Sequence, residues 1–188
     1  KMKIYVLGVC GTFMGGLAQL AVQKGFEVAG CDENAYPPMS NVLAEQGIKV
    51  DQGFTVRNIA DDIDLFVIGN VVSRGNPMME EILKRRLKFV SGPQFLTESI
   101  LEDRHVIAVS GTHGKTSTSS MLAKVLIDAG LDIGYMIAGR AIDLDSTAYL
   151  GTDKYFVIEA DEYDTAFFDK RSKFIHYSPS TLLINNLE

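Results

Sequence analysis

A lysine, two glycines and a run of hydroxyls stand together in SGTHGKTSTSS, residues 110–120. A phosphate loop needs these types: glycines that let backbone N–H groups crowd an anion, a lysine for the terminal phosphates, and a hydroxyl for Mg²⁺. The usual spacing is G-x-x-x-x-G-K-[ST], yet here the glycine before Gly114 is Gly111, and Val109 stands where the first glycine would be. The flanks support a shortened loop. HVIAVS before it is an apolar, β-branched run that predicts a strand, and TSTSSMLAKVLIDAG after it predicts an amphipathic helix ending at Gly130. Gly111, Thr112, His113, Gly114, Lys115, Thr116 and Ser117 are therefore the candidate ATP-binding residues. Lys115, the candidate catalytic residue, would reach the β and γ phosphates, and the Thr116 hydroxyl would ligate Mg²⁺. His113 can touch phosphate or face solvent.

A second group of acids closes another apolar run, YFVIEADEYD at 155–164. If the strand continues, Glu159 and Asp161 share a face and Glu162 takes the other. Beside a phosphate loop, a carboxylate at a neighbouring strand end holds the cation that bridges the ATP phosphates. Glu159 is the candidate metal ligand together with Thr116. DKRSK at 169–173 reads as an exposed turn, with contact to an acidic substrate as the alternative.

The third candidate is GVCGTFMGG at 8–16, again between a predicted strand, KIYVLGV, and a predicted helix, GGLAQLAVQK. It departs from the dinucleotide fingerprint because Cys10 and Phe13 replace two of the glycines, although Asp32 ends the next strand about where a ribose-binding acid would sit. A nicotinamide oxidoreductase stays open on this loop alone, as does a non-catalytic nucleotide switch on the other.

Elements able to position these loops run along the chain. Gly25 suits the left-handed end of the first helix, and FEVAGCD (26–32) is the next strand. YPPM is a turn, Ser40 a helix cap for a short helix ending near Gly47, and DLFVIGN (64–70) another buried strand. Asn76-Pro77 reads as an N-cap and first helical position before PMMEEILKRRL. KFVS, a helix QFLTESILE, and strands IGYMIAG (133–139), KYFVIEAD, KFIHY (173–177) and TLLINN follow. Alternating strands and helices predict an α/β chain. We expect a Rossmann-like domain over 1–104, then the first part of a P-loop ATPase α/β domain over 105–188, incomplete, with a C-terminal domain absent.

Composition narrows the partners. Hydrophobic residues make up 46% of the 188, which suits a globular chain, and the net charge of −6 argues against a nucleic-acid surface. Cys10 and Cys31 form no C-x-x-C pair, and the three histidines lie too far apart in sequence for a metal cluster, so His105 and His176 read as structural. Ile4 to Gln23 lacks charge, but its four glycines, Thr12 and two glutamines fit a strand, turn and helix better than a membrane span or leader. Lys1 ahead of Met2 reads as an appended residue. A cytoplasmic protein without membrane contact is expected.

Taken together, GTHGKT, EADE and the first glycine loop resemble the Mur ligase family, the ATP-dependent amide ligases of bacterial cell-wall synthesis. GTFMGGLAQLA, YPPMS, SGPQFL, EADEYDTAFFDKRSKF and NNLE resemble the branch that recycles murein tripeptide, and Cys10 and Phe13 depart from the alanine-adding branch, the nearest alternative. The resemblance implies ATP and Mg²⁺ as cofactors. It implies UDP-N-acetylmuramate and the murein tripeptide as partners. It places the UDP-sugar at Gly8, Gly11, Thr12, Phe13, Met14, Asp32 and Ser73, and Asn186 near the substrate and metal. It also implies a later metal-binding histidine and a modified lysine beyond this sequence.

Overall fold

The computed structural model describes residues 1–138, 144–160, 164–172 and 177–186. The apolar run at the start forms β1 (Lys3–Leu7), buried from Ile4 onward. Helix α1 (Thr12–Lys24) and β2 (Glu27–Asp32) follow, then α2 (Met39–Glu45), β3 (Lys49–Gln52), β4 (Leu65–Ile68), α3 (Pro77–Lys84) and β5 (Phe89–Ser91). These strands make one parallel sheet in the order β3-β2-β1-β4-β5. The chain winds outward from β1 to β3, then crosses back to β4 on the other side of β1. That reversal opens a crevice beyond the carboxyl ends of β1 and β4, where ligands of open α/β sheets bind.

Helix α4 (Gly92–Phe95) runs on into a π-helical turn, Leu96–Ile100, before β6 (His105–Ser110) starts a second sheet. Its other elements are α5 (Lys115–Asp128), β7 (Gly134–Met136), β8 (Ala148–Tyr149), β9 (Tyr155–Glu159), the hairpin β10 (Asp164–Ala166) with β11 (Asp169–Ser172), and β12 (Thr181–Ile184). The sheet order is β12-β6-β9-β7-β8, parallel except for the β7–β8 pair, and the hairpin stands apart from it. One apolar cluster spans both sheets: Leu17, Ala18 and Phe95 of the first half share it with Ala108, Met136 and Phe156 of the second.

The α/β class is as the alternation predicted, and most differences lie at element ends. Gly25 closes α1 at φ 103°, its N–H donating to Ala21 and Val22 carbonyls. Asn76 caps α3, its side chain accepting the Met78 and Met79 N–H groups, both at 3.1 Å. Ser40 is not a cap: α2 begins at Met39 after Pro38, and Ser40 lies inside it. Strand β5 ends at Ser91 and Gly92 opens α4, where the Ser91 hydroxyl accepts the Gln94 N–H at 3.2 Å. DKRS is strand β11, not a turn. Gly139, Asp161, Glu162, Lys173, His176 with most of KFIHY, and the last two residues of NNLE lie outside the described residues.

Candidate functional site

Strand β6 delivers the chain into a loop of two residues, Thr112 and His113, held between two glycines. Gly111 has φ 146° and Gly114 φ 78°, backbone states that side chains rarely adopt. Helix α5 starts at once with Lys115. Its first N–H groups have no partner within the helix, and the helix dipole adds positive potential there. The expected residues Gly111 to Ser117 are thus brought to one strand-to-helix turn.

Glu159 closes β9, which pairs with β6 so that Val109 lies opposite Glu159. Its carboxylate reaches the start of α5. One oxygen accepts the Ala138 N–H at 2.9 Å and the other the Ser119 hydroxyl at 3.3 Å. Burial pushes the Glu159 carboxyl above its ordinary value, against the opposing pull of the Ala138 N–H, Ser119 and the Lys115 charge. The Thr116 hydroxyl donates to the Ala138 carbonyl at 3.0 Å, which leaves its lone pairs for a cation. A half-buried carboxylate beside an oxygen whose proton points away is a donor set that suits Mg²⁺, which takes few protein oxygens and otherwise phosphate and water. Among the described residues there is no group of three or more His, Cys, Asp or Glu able to hold a metal by themselves.

Asn186 lies against this loop. Its side-chain oxygen accepts the His113 N–H at 2.9 Å, and its carbonyl accepts the Thr112 N–H at 3.3 Å. His105 sits at the opposite end of β6, 3.0 Å from the Thr181 hydroxyl with its ring edge-on to Tyr155.

The first glycine loop lies at the crevice of the parallel sheet. Gly8 turns the chain at φ 84°, and the Gly8 and Val9 N–H groups donate to the Cys31 carbonyl at 2.9 and 3.1 Å. Gly11 is the N-cap of α1, so the N–H groups of Thr12, Phe13 and Met14 lie in its first turn. The Met14 side chain is buried, which leaves only its backbone for a ligand. Asp32 differs from a free ribose acceptor: one oxygen takes the Cys10 N–H at 3.0 Å and the other the Asn34 N–H at 3.2 Å. It ties the loop to β2. A cavity of about 280 Å³ opens here, lined by Gly8, Gly11, Asp32, Phe54 and Val71. It adjoins one of about 550 Å³ that includes Ser73, Arg74 and Asn76, with Glu33, Phe54 and Val71 common to both. Gly15 and Gly16 face away from the cavities. A Cβ on Gly15 would meet Met39 Sδ at 2.7 Å, and one on Gly16 would meet Met136 at 3.1 Å.

Sequence reasoning missed Glu33, Phe54, Val71 and Arg74 at the first site and Asn185 at the second. Val71 follows β4, the strand after the reversal in sheet order, so its loop was findable once that reversal was known. Phe54 and Asn185 carried no local signal.

A model of the Mur ligase family, catalytic domain, matches residues 3–104. The chain belongs to the Mur ligase family. The chain is 52% identical over 187 residues to the UDP-N-acetylmuramate–L-alanyl-gamma-D-glutamyl-meso-2,6-diaminoheptandioate ligase of Escherichia coli K12, matching 100% of the chain and 41% of that protein. The chain thus spans about two fifths of the length of the curated relatives it matches. A solved ligase of the same description from Neisseria meningitides aligns with a TM-score of 0.96 at 50% identity, over 100% of this chain and 61% of the other. A UDP-N-acetylmuramate–alanine ligase from Thermotoga maritima shares the fold at a TM-score of 0.85, with 24% identity over 99% of this chain and 42% of its own.

Proposed function

We propose that the chain carries the nucleotide-sugar site and the ATP phosphate site of a ligase that joins L-alanyl-γ-D-glutamyl-meso-diaminopimelate to UDP-N-acetylmuramate. The observation that carries the reading is the convergence of Lys115, Thr116 and Glu159 at one strand-to-helix turn, in a chain 52% identical to a ligase so described. The alanine-adding alternative has less support, since the solved alanine ligase is 24% identical. In this reading residues 1–104 are the UDP-sugar domain and 105–188 belong to the ATP-binding domain, in a cytoplasmic enzyme. Among the described residues no helix is long and apolar enough to cross a membrane.

The uridine diphosphate would sit in the joined cavities, its pyrophosphate facing the first turn of α1 and its remaining groups extending past Asp32 toward Ser73. The lactyl carboxylate attacks the γ phosphorus of ATP, the bond to ADP breaks, and an acyl phosphate forms. The amino group of the tripeptide then adds to the acyl carbon, loses its proton, and expels inorganic phosphate as the amide forms. The protein positions groups and neutralises charge, with no covalent nucleophile required. The Lys115 ammonium offsets charge on the transferred phosphoryl group, while α5 orients the phosphates through its N-terminal N–H groups. Thr116 and Glu159 would hold Mg²⁺, which when bound supplies charge neutralisation at the phosphate oxygens.

Parallel calorimetric titrations with UDP-N-acetylmuramate, MgATP and NADH test the reading. It expects heat from the first two, and loss of the MgATP signal in Lys115→Ala. Binding of NADH without the uridine nucleotide would overturn it in favour of an oxidoreductase.

A further inference from the structure

The phosphate loop is two residues short of the usual spacing, and the end of a neighbouring strand lies against it. Strand β12 runs parallel to β6 and ends beside the loop, with Ile184 opposite Ser110. The next two residues, Asn185 and Asn186, then wrap the loop from outside. The Asn185 N–H donates to the Ser110 carbonyl at 2.8 Å, which carries the pairing one step past the strand. The Asn185 side-chain amide donates to the His113 carbonyl at 2.7 Å, and its oxygen lies 3.4 Å from the Thr118 hydroxyl. Asn186 takes the Thr112 and His113 N–H groups, as described above. Both peptide groups flanking the loop centre are thus held by one neighbouring strand end.

Both loop glycines answer to the same pair. A Cβ on Gly111 would lie 3.0 Å from the Asn186 nitrogen and 3.2 Å from Asn185 Cβ, and one on Gly114 would lie 2.7 Å from Asn185 Nδ2. The backbone angle favours glycine at both positions, and at Gly111 the close approach of the Asn186 backbone adds to it. The chemistry also demands an amide at 185. A carboxylate of the same shape cannot donate to the His113 carbonyl, and would oppose it with a negative charge.

We propose that Asn185 and Asn186 are positioning residues of the phosphate loop, supplying from β12 the hydrogen bonds that the missing loop residues would otherwise make. They turn the Thr112–His113 segment outward, and so aim the first N–H groups of α5 and the Lys115 side chain at the phosphates. Asn186 thereby acts through the loop, not through the substrate. This rests on the reading of the loop as an ATP site.

The experiment titrates MgATP and UDP-N-acetylmuramate separately into the 188-residue chain and into N185A, N185D and K115A, with a thermal melt of each. Losing one well-aligned loop contact should weaken MgATP several-fold, up to about tenfold, in both Asn185 variants, while the uridine nucleotide binds within about twofold of normal. Isosteric N185D should be no better than N185A, because the lost donor is the cause. MgATP binding at unchanged affinity in either variant overturns the proposal. A parallel loss of both ligands also overturns it, since the pair would then only support the fold. If N185D does not fold, N185A decides alone. The K115A arm separates the two claims. Normal ATP binding in K115A sinks the phosphate-loop reading together with this inference, whereas loss in K115A with normal binding by N185A sinks the inference alone.

Discussion

Burial raises three acidic groups here, Glu159, Cys31 and Tyr5, with different consequences. Glu159 stays beside Thr116 and Ser119 although its charged form is disfavoured there, a cost that a bound cation would offset. Glu159→Gln should therefore melt no lower than the unsubstituted chain at neutral pH, and should lose the Mg²⁺ dependence of ATP binding. Melts with ATP titrations, with and without Mg²⁺, check both. A Mg²⁺ response that survives would remove Glu159 from the metal site. Cys31 is fully buried, and desolvation pushes its thiol up to about 12 from an ordinary 9.0. Tyr5, whose hydroxyl donates to Asp51 at 2.8 Å, is raised too, burial again being the largest cause. The folded state thus binds these protons more tightly than the unfolded one. Stability is fully present below pH 9.0 and falls as pH rises toward about 12. Alkylation at pH 8 should modify Cys31 only after unfolding, and prompt modification of the native chain would contradict the burial. The strand-to-helix turn from Gly111 to Ser117, the proposed phosphate site, could be singled out because glycine, lysine and hydroxyl are consecutive. The asparagine brace was not, because its contacts are to backbone groups 72 and 73 residues away in sequence.

At the scale of elements, strands buried on both faces were the easy ones. Leu65–Ile68 is buried at every residue, and such apolar runs announce themselves. Strand β3, KVDQ, is an edge strand with no buried residue, and β8 has two residues, so neither has a period to read. The β10–β11 hairpin was misread for the same reason: DKRS has no apolar residue, and its place comes from Phe167 and Phe168, which pack against the first half of the chain. The π turn after α4 likewise depends on packing, since Leu96 and Ile100 are both fully buried. Helix α3 is the opposite case, because Asn76, Pro77 and the first-turn Glu80 are all local start signals. Asn76→Ala should lower stability by about 1 kcal/mol through two lost N–H acceptors, read as a shifted denaturation midpoint at constant slope. An unchanged midpoint would show that Pro77 and the first-turn Glu80 suffice to start the helix.

The whole molecule behaves as more than two sheets on one chain. Gln23 of α1 reaches β8 as a strand residue would, its amide donating to the Ala148 carbonyl at 3.2 Å and accepting the Leu150 N–H at 2.7 Å. Gly16 on the same helix leaves room for Met136 of β7. With the apolar cluster common to both sheets, these contacts predict one cooperative unfolding transition, seen alike by far-ultraviolet circular dichroism and tyrosine fluorescence. Gly16→Leu should uncouple the halves. Its side chain has no space against Met136 and Ala148, so α1 and the second sheet must separate, while Gly16 itself lines neither cavity of the first site. The expected result is two transitions, with the residues after 104 melting first. Those residues lose an apolar partner along α1, whereas the parallel sheet before them keeps all five strands. Binding of UDP-N-acetylmuramate should persist through the first transition and vanish with the second. A single transition in Gly16→Leu, at the midpoint of the unsubstituted chain, would mean that this packing does not couple the halves.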